Sequence, residues 1–200
     1  MERRKGIGQI PKGQKGVRMD RTRKRELGRK WLLACIVFTF GGVFGFIYEE
    51  LFYRIDLGYF VKRGSGIGPW IFIYAGGAFL IFWMTERIPK NALTLFLFSA
   101  LLCGGLELAT GFILHHFFGI RLWDYNVEIW NFGNIGGYIC ARSVLLFGFC
   151  GVFLRLIAVP LFERFLDSVS IKTAIWVSVG PAVVSALDML IGMILRAGKL

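Results

Sequence analysis

The chain has 200 residues, 56% of them apolar and 16% aromatic, with positive mean hydropathy. That is too apolar for a soluble domain of this size and too short for several domains. The net charge of +11 is concentrated: twelve of the 24 basic residues lie in the first thirty positions, against three acids, so the remainder is close to neutral and gives no nucleic-acid signature.

Residues 1–30 form a basic arm rich in Gly, Lys and Arg that buries too little apolar surface to order itself. It is expected to be a disordered cytoplasmic anchor drawn to anionic membrane lipids. The apolar stretch behind it is long enough to span and ends in no small-x-small cleavage site, so the arm is read as retained. Residues 31–200 then read as an all-α, polytopic membrane protein, a bundle of about five transmembrane helices at 31–53, 69–85, 91–115, 138–161 and 171–195. No internal repeat is evident, which argues against an inverted-repeat transporter within one chain. The Lys and Arg bias places the N-terminus in the cytoplasm and the C-terminus outside the cell membrane.

The first helix carries Gly41, Gly45 and Glu49 on one face, so that a groove of small residues leads up to a carboxylate. The connection that follows, Arg63-Gly64-Ser65-Gly66-Ile67-Gly68-Pro69, combines an arginine with glycines that let backbone approach a ligand and a proline suited to a helix start. It reads equally as an anionic-headgroup site and as a tight hairpin turn. It lacks the Lys-Ser/Thr of an ATPase phosphate loop, so the chain itself is not expected to hydrolyse ATP.

The third helix sets Gly104, Glu107 and Gly111 on one face. An ionisable group at membrane depth costs roughly 2.5–3.5 kcal/mol on insertion scales, which makes Glu107 a functional candidate. By helical rise, Glu49 and Glu107 lie about 27 and 24 Å along their helices, level with Arg142 and Asp188. Arg142 is therefore expected to pair with the two glutamates, while Arg155 lies near the inner surface and can snorkel.

Residues 119–137 hold Trp123-Asp124-Tyr125, Trp130 and Asn134, a loop expected to lie over the charged cluster with Asp124 at its mouth. The adjacent His115 and His116 point to different helix faces and have no His or Cys partner nearby, so no metal is expected. Cys35, Cys103, Cys140 and Cys150 sit in apolar segments and read as packing residues.

Several stretches together resemble the family of putative type IV ABC transporters, the CmpB family, to which the transmembrane protein 229 family is similar. They are Gly45-Phe46-Ile47-Tyr48-Glu49, Arg63-Gly64 with Gly68-Pro69 and Ile73-Tyr74, Leu106-Glu107 with Thr110 to Leu114, Trp123-Asp124-Tyr125, and Asn134 with Gly137 to Cys140. The resemblance covers roughly residues 35–155 and leaves out the arm and the fifth helix. It implies a permease-like transport component and carries no established site residues. An ATPase would need a cytoplasmic docking segment, yet the inner loops, about 86–90 and 162–170, are short and only the arm has reach.

With the resemblance, the leading expectation is a permease-like transport component without a cofactor, and catalysis is left as an alternative. Glu49, Arg63, Glu107, Asp124 and Arg142 are the candidates for ligand binding or proton relay, supported by Gly45, Gly64, Gly68, Pro69, Gly111, Trp123, Tyr125 and Asn134. Membrane lipids, an ATPase or other membrane subunit, and a second copy of the chain are the partners open to it. A membrane-embedded enzyme or binding protein for a lipid or envelope intermediate, and a helix-binding scaffold, are the alternatives.

Overall fold

A computed structural model describes residues 12–64 and 66–197, with side chains from Thr22 to Leu195. Among these residues five helices carry the fold: α1 (Lys12–Leu57), α2 (Phe72–Met84), α3 (Ala92–Phe118), α4 (Ala141–Ser168) and α5 (Ile171–Ala197). A 3₁₀ turn at Thr85–Arg87 follows α2, and a π turn at Leu154–Ala158 interrupts α4. Among the described residues, four helices are long and apolar enough to cross a membrane, namely α1, α3, α4 and α5.

The second helix is the exception. It runs for 13 residues, about 20 Å, short of a full span. It also begins three residues later than Pro69 because Ile71 is extended, at φ −125° and ψ 125°, and donates its N–H to Gly42 O at 3.0 Å. Pro69 therefore precedes the helix instead of opening it.

The first helix is longer than its apolar part. It extends back to Lys12 through residues read as an unordered arm, while residues 1–11 lie outside the described residues. Lys, Arg, Met, Glu and Leu are good helix formers, and a helix already nucleated by packing propagates into them at little cost. Its basic end is tied down: Arg29 pairs with Asp167 and reaches Glu163 O at 3.2 Å, and Lys30 pairs with Glu86 while lying 3.8 Å over the Trp83 ring.

From Lys30 to Glu49 is about 28 Å along α1, close to the thickness of a hydrocarbon layer. The bundle thus has two ends a membrane apart: one with Lys30, Glu86 and Asp167, the other with the connections 58–71 and 119–140. Between them α1 packs on α2 and α5, and α3 packs on α4. Small residues set these distances. An added Cβ at Gly41 or Gly45 would overlap Ala78 or Tyr74 of α2, so the groove of small residues on α1 is the seat of α2. On α3, a Cβ at Gly104 would come within 3.2 Å of Val144. The core is aliphatic and aromatic, running through Leu33, Val37, Ile81, Phe82, Phe147, Leu154 and Leu166.

Asn91 caps α3, its side chain accepting from Leu93 N at 2.9 Å and Thr94 N at 3.4 Å. Gly119, at φ 67°, ends the helix in the left-handed conformation that favours glycine.

Candidate functional site

At the end carrying the two long connections, polar side chains gather in three units. The first joins α1 to the 58–71 connection: Arg63 Nε donates to Glu49 Oε2 at 2.6 Å, and the guanidinium lies 3.9 Å over the Tyr53 ring. Burial lowers the Arg63 pKa, but the Glu49 carboxylate and Tyr53 outweigh it, so the side chain stays above the usual arginine value and is a fixed cation.

The second unit ties α4 to the 119–140 connection and to α1. Arg142 Nη2 donates to Glu128 Oε2 at 2.5 Å, the Tyr53 hydroxyl donates to the other oxygen of Glu128, and the guanidinium lies 3.8 Å over the Phe52 ring. Ile129 N also donates to Asp56 Oδ1 at 3.2 Å, so this connection clasps the end of α1.

The third unit is Glu107. It is 5% exposed and accepts two hydroxyls: Tyr125 OH at 2.6 Å on Oε1 and Ser143 Oγ at 2.8 Å on Oε2. No arginine or lysine pairs with it among the described residues. Burial first, and the neighbouring Glu107 carboxylate second, hold the Tyr125 phenol far above its ordinary pKa, so Tyr125 is a permanent donor.

Arg142 was expected to serve both helix carboxylates; it serves neither. Glu49 takes Arg63, which the connection folds back onto α1, and Arg142 takes Glu128, a loop acid 8% exposed that the sequence reading passed over. An unassigned acid in a polar loop gives no periodic signal, and only the demand of Arg142 for a partner could have pointed to it. Ser143 lies in the first turn of α4, where a serine carries no signal in the sequence, and its hydroxyl faces Glu107 of α3.

Asp124 lies in the loop as expected but is engaged in holding it. Its Oδ1 accepts from Arg121 Nη2, from Asn126 N at 2.9 Å and from Asn126 Nδ2 at 2.8 Å. Asn134 bridges from Asn126 Oδ1 to Gly137 N, both at 2.8 Å, and Gly137 is at φ 80° with no room for a Cβ. Trp123 donates to Tyr138 O at 2.9 Å and packs its ring on Gly111, where an added Cβ would come within 3.0 Å. These residues build the platform that delivers Tyr125 to Glu107. Trp130, at φ 53°, is the non-glycine residue held in the left-handed region on this loop, and its ring meets Phe52 at 6.3 Å.

The glycine-rich turn does hold an anion, and the anion is the chain's own. Asp188 of α5 accepts from Ile67 N at 2.9 Å, Gly68 N at 3.0 Å and Trp70 Nε1 at 2.8 Å. Gly64 supports the turn at φ 77°. His115 Nδ1 meets the Tyr138 hydroxyl at 2.8 Å.

Toward the membrane centre from Glu107, an apolar cleft of about 50 Å³ opens between α1, α2, α3 and α4. Phe40, Phe44, Tyr74, Leu106, Cys150 and Phe153 are among its walls. Leu106 places the top of the cleft one residue from Glu107.

The fold and site define a class: an all-helical protein of membrane-spanning length with a buried, hydroxyl-capped carboxylate. The chain belongs to the ABC_trans_CmpB family, described as Putative ABC-transporter type IV, whose model matches residues 36–193. The match extends well into α5, so that helix is part of the family's domain and not an addition, as the shorter resemblance had implied. No curated protein and no solved structure matches the chain.

Proposed function

We propose that the protein is a membrane transport component in which Glu107 takes the proton or cation that is moved or that drives movement. One observation carries this reading. The cluster holds three glutamates, Glu49, Glu107 and Glu128, against two arginines, Arg63 and Arg142; both arginines are taken, and Glu107 has hydroxyl partners alone. A buried site short of one positive charge is completed by a proton or a small cation. Glu49 and Arg142 act here as fixed members of pairs, and Asp124 holds the loop that covers the site. The family description supports a transporter-type membrane protein. On the Lys and Arg bias, the cluster faces outward in a cell membrane and the basic end of α1 faces the cytoplasm, where it offers the docking segment an ATPase subunit would need.

Infrared difference spectroscopy of the purified protein tests it. A carboxyl band that responds to pH or to added alkali cations, is lost in Glu107→Gln and persists in Glu49→Gln, is the expected result. No responsive band, or one insensitive to Glu107→Gln, rejects the assignment.

The apolar cleft favours a second reading, a binding protein for a bilayer lipid, because its walls offer an alkyl chain apolar contact and no polar competition. Lipid retained through purification and lost when Leu106→Trp fills the cleft, with the fold intact by circular dichroism, would support it.

A further inference from the structure

Three oxygen-to-oxygen contacts meet around Glu107, and the two hydroxyls that make them bring only two hydrogens. Tyr125 OH is 2.6 Å from Glu107 Oε1, Ser143 Oγ is 2.8 Å from Oε2, and the same Oγ is 2.9 Å from Cys140 O. All three are hydrogen-bond separations. A hydroxyl donates once, so the Ser143 hydrogen serves either Oε2 or Cys140 O and leaves the other contact as two oxygens facing each other. Glu107, Ser143 and Cys140 are all buried, where such an unserved contact is costly.

No neighbouring charge makes up the difference. Arg142 of α4 is paired with Glu128 of the loop, and Glu49 of α1 is paired with Arg63. The other titratable groups near the site, Tyr74 of α2 and Cys103 of α3, are neutral donors. Ser143 Oγ takes Cys140 N at 3.4 Å and faces Cys140 Sγ at 3.9 Å, but neither supplies a hydrogen to Oε2 or to Cys140 O.

We infer that the group completing the site is a proton on Glu107 Oε2 and not an alkali cation; this rests on the reading of Glu107 as the exchange site. With Oε2 protonated, Oε2 donates to Ser143 Oγ, Ser143 donates to Cys140 O and Tyr125 donates to Oε1. Each contact then has its own hydrogen. Uptake forms one O–H bond, the proton coming from water, and removes the one uncompensated negative charge. A hard cation instead gathers about six oxygens around a single centre, whereas the oxygens here are turned on one another at hydrogen-bond distance. Release of the proton turns the Ser143 hydrogen from Cys140 O to Oε2 and leaves Cys140 O with Val144 N at 3.2 Å. The first turn of α4 thereby registers whether the carboxyl of α3 is occupied.

Infrared difference spectroscopy of the purified full chain in sodium, potassium and lithium chloride at constant ionic strength tests this. A carboxylic acid C=O band that shifts in D2O and is lost in Glu107→Gln is expected. Its titration midpoint should hold still through a tenfold rise in each cation, where a competing cation would lower it by up to about one pH unit. With the proton on Oε2 the C=O oxygen is Oε1, so Tyr125→Phe, which removes the donor to Oε1, should raise the band frequency more than Ser143→Ala does. A midpoint that moves with the cation, or a larger shift in Ser143→Ala with both variants folded by circular dichroism, would overturn the inference and leave Glu107 as an exchange site. A band that ignores both pH and cations would reject the exchange reading itself, and the inference with it.

Discussion

Tyr125 donates its hydroxyl to Glu107 Oε1 at 2.6 Å, closing a carboxylate of α3 with a residue 18 positions further along the chain. The loop is thereby part of the buried site and not a cover laid over it. Truncation should show this. Tyr125→Phe removes one donor and should cost about 1 kcal/mol, whereas Glu107→Leu strands the Tyr125 hydroxyl, leaves Ser143 with Cys140 O alone and should cost about 2–3 kcal/mol. Glu107→Gln keeps an acceptor and should fall between them. Thermal unfolding in detergent gives the order, and equal effects of Tyr125→Phe and Glu107→Leu would contradict it.

The same bond has a pH signature. A tyrosine ordinarily ionises near pH ~10, and Tyr125 is held above that by burial and by Glu107. Because the folded-state pKa is raised, its stabilising share is fully present below the unfolded value and is lost as pH rises past it. Tyrosinate absorbance of the folded protein, followed from neutral pH to pH ~11, should have the same amplitude in wild type and Tyr125→Phe. A smaller amplitude in the variant would mean that Tyr125 is exposed to water.

Arg142 and Glu128 form a pair whose halves are unequal to lose. Arg142→Gln leaves Glu128 buried with only the Tyr53 hydroxyl, a loss of about 3–5 kcal/mol. Adding Glu128→Gln should recover a large part of it. Adding Glu49→Gln instead should give no recovery, because Glu49 belongs to Arg63. This double-mutant comparison discriminates the observed pairing from one in which Arg142 serves the helix carboxylates.

These residues also show where the sequence was legible. Apolar run lengths located every long helix, since crossing a bilayer fixes a minimum length, and the common depth of Glu49, Glu107 and Arg142 put them at one end of the bundle. The small-residue face of α1 was readable because helical periodicity places Gly41 and Gly45 one turn apart. Pairing was not readable. It depends on how two irregular segments fold back: Arg63 arrives on the 58–71 connection, held by Asp188 and by Gly42 O, and Glu128 and Tyr125 arrive on the 119–140 connection, shaped by contacts among Arg121, Asp124, Asn126 and Asn134. The helical course of residues 12–30 was hidden too, because composition alone does not register that α1 is nucleated further along.

Helix spacing gives a plainer expectation. At Gly45 a Cβ would run into the Tyr74 ring, so Gly45→Ala should cost about 1–3 kcal/mol by pushing α2 off α1. Gly105, on the same helix as Glu107, has nothing within 4 Å of an added Cβ, so Gly105→Ala should be neutral or stabilise by up to about 1 kcal/mol. A melt in which the two alanines behave alike would mean that α2 is not seated on Gly45.

Asp188 makes the most local expectation. Its carboxylate gathers three donors from the 66–70 turn, and removing it leaves Ile67 N, Gly68 N and Trp70 Nε1 facing a gap. Because Asp188 is only half-buried, water can reach those donors, and Asp188→Ala should cost no more than about 1–2 kcal/mol globally. The effect should be concentrated in hydrogen exchange: the Ile67 and Gly68 amides should lose protection while those of α3 keep theirs. The donors themselves survive the substitution, so the turn remains an anion-binding concavity, and added acetate should restore part of the protection. Asp188→Asn should restore less than acetate does, since its amide presents one acceptor oxygen to three donors. Unchanged exchange at Ile67 and Gly68 in Asp188→Ala would show that the turn holds its shape alone and that α5 is joined to it by packing.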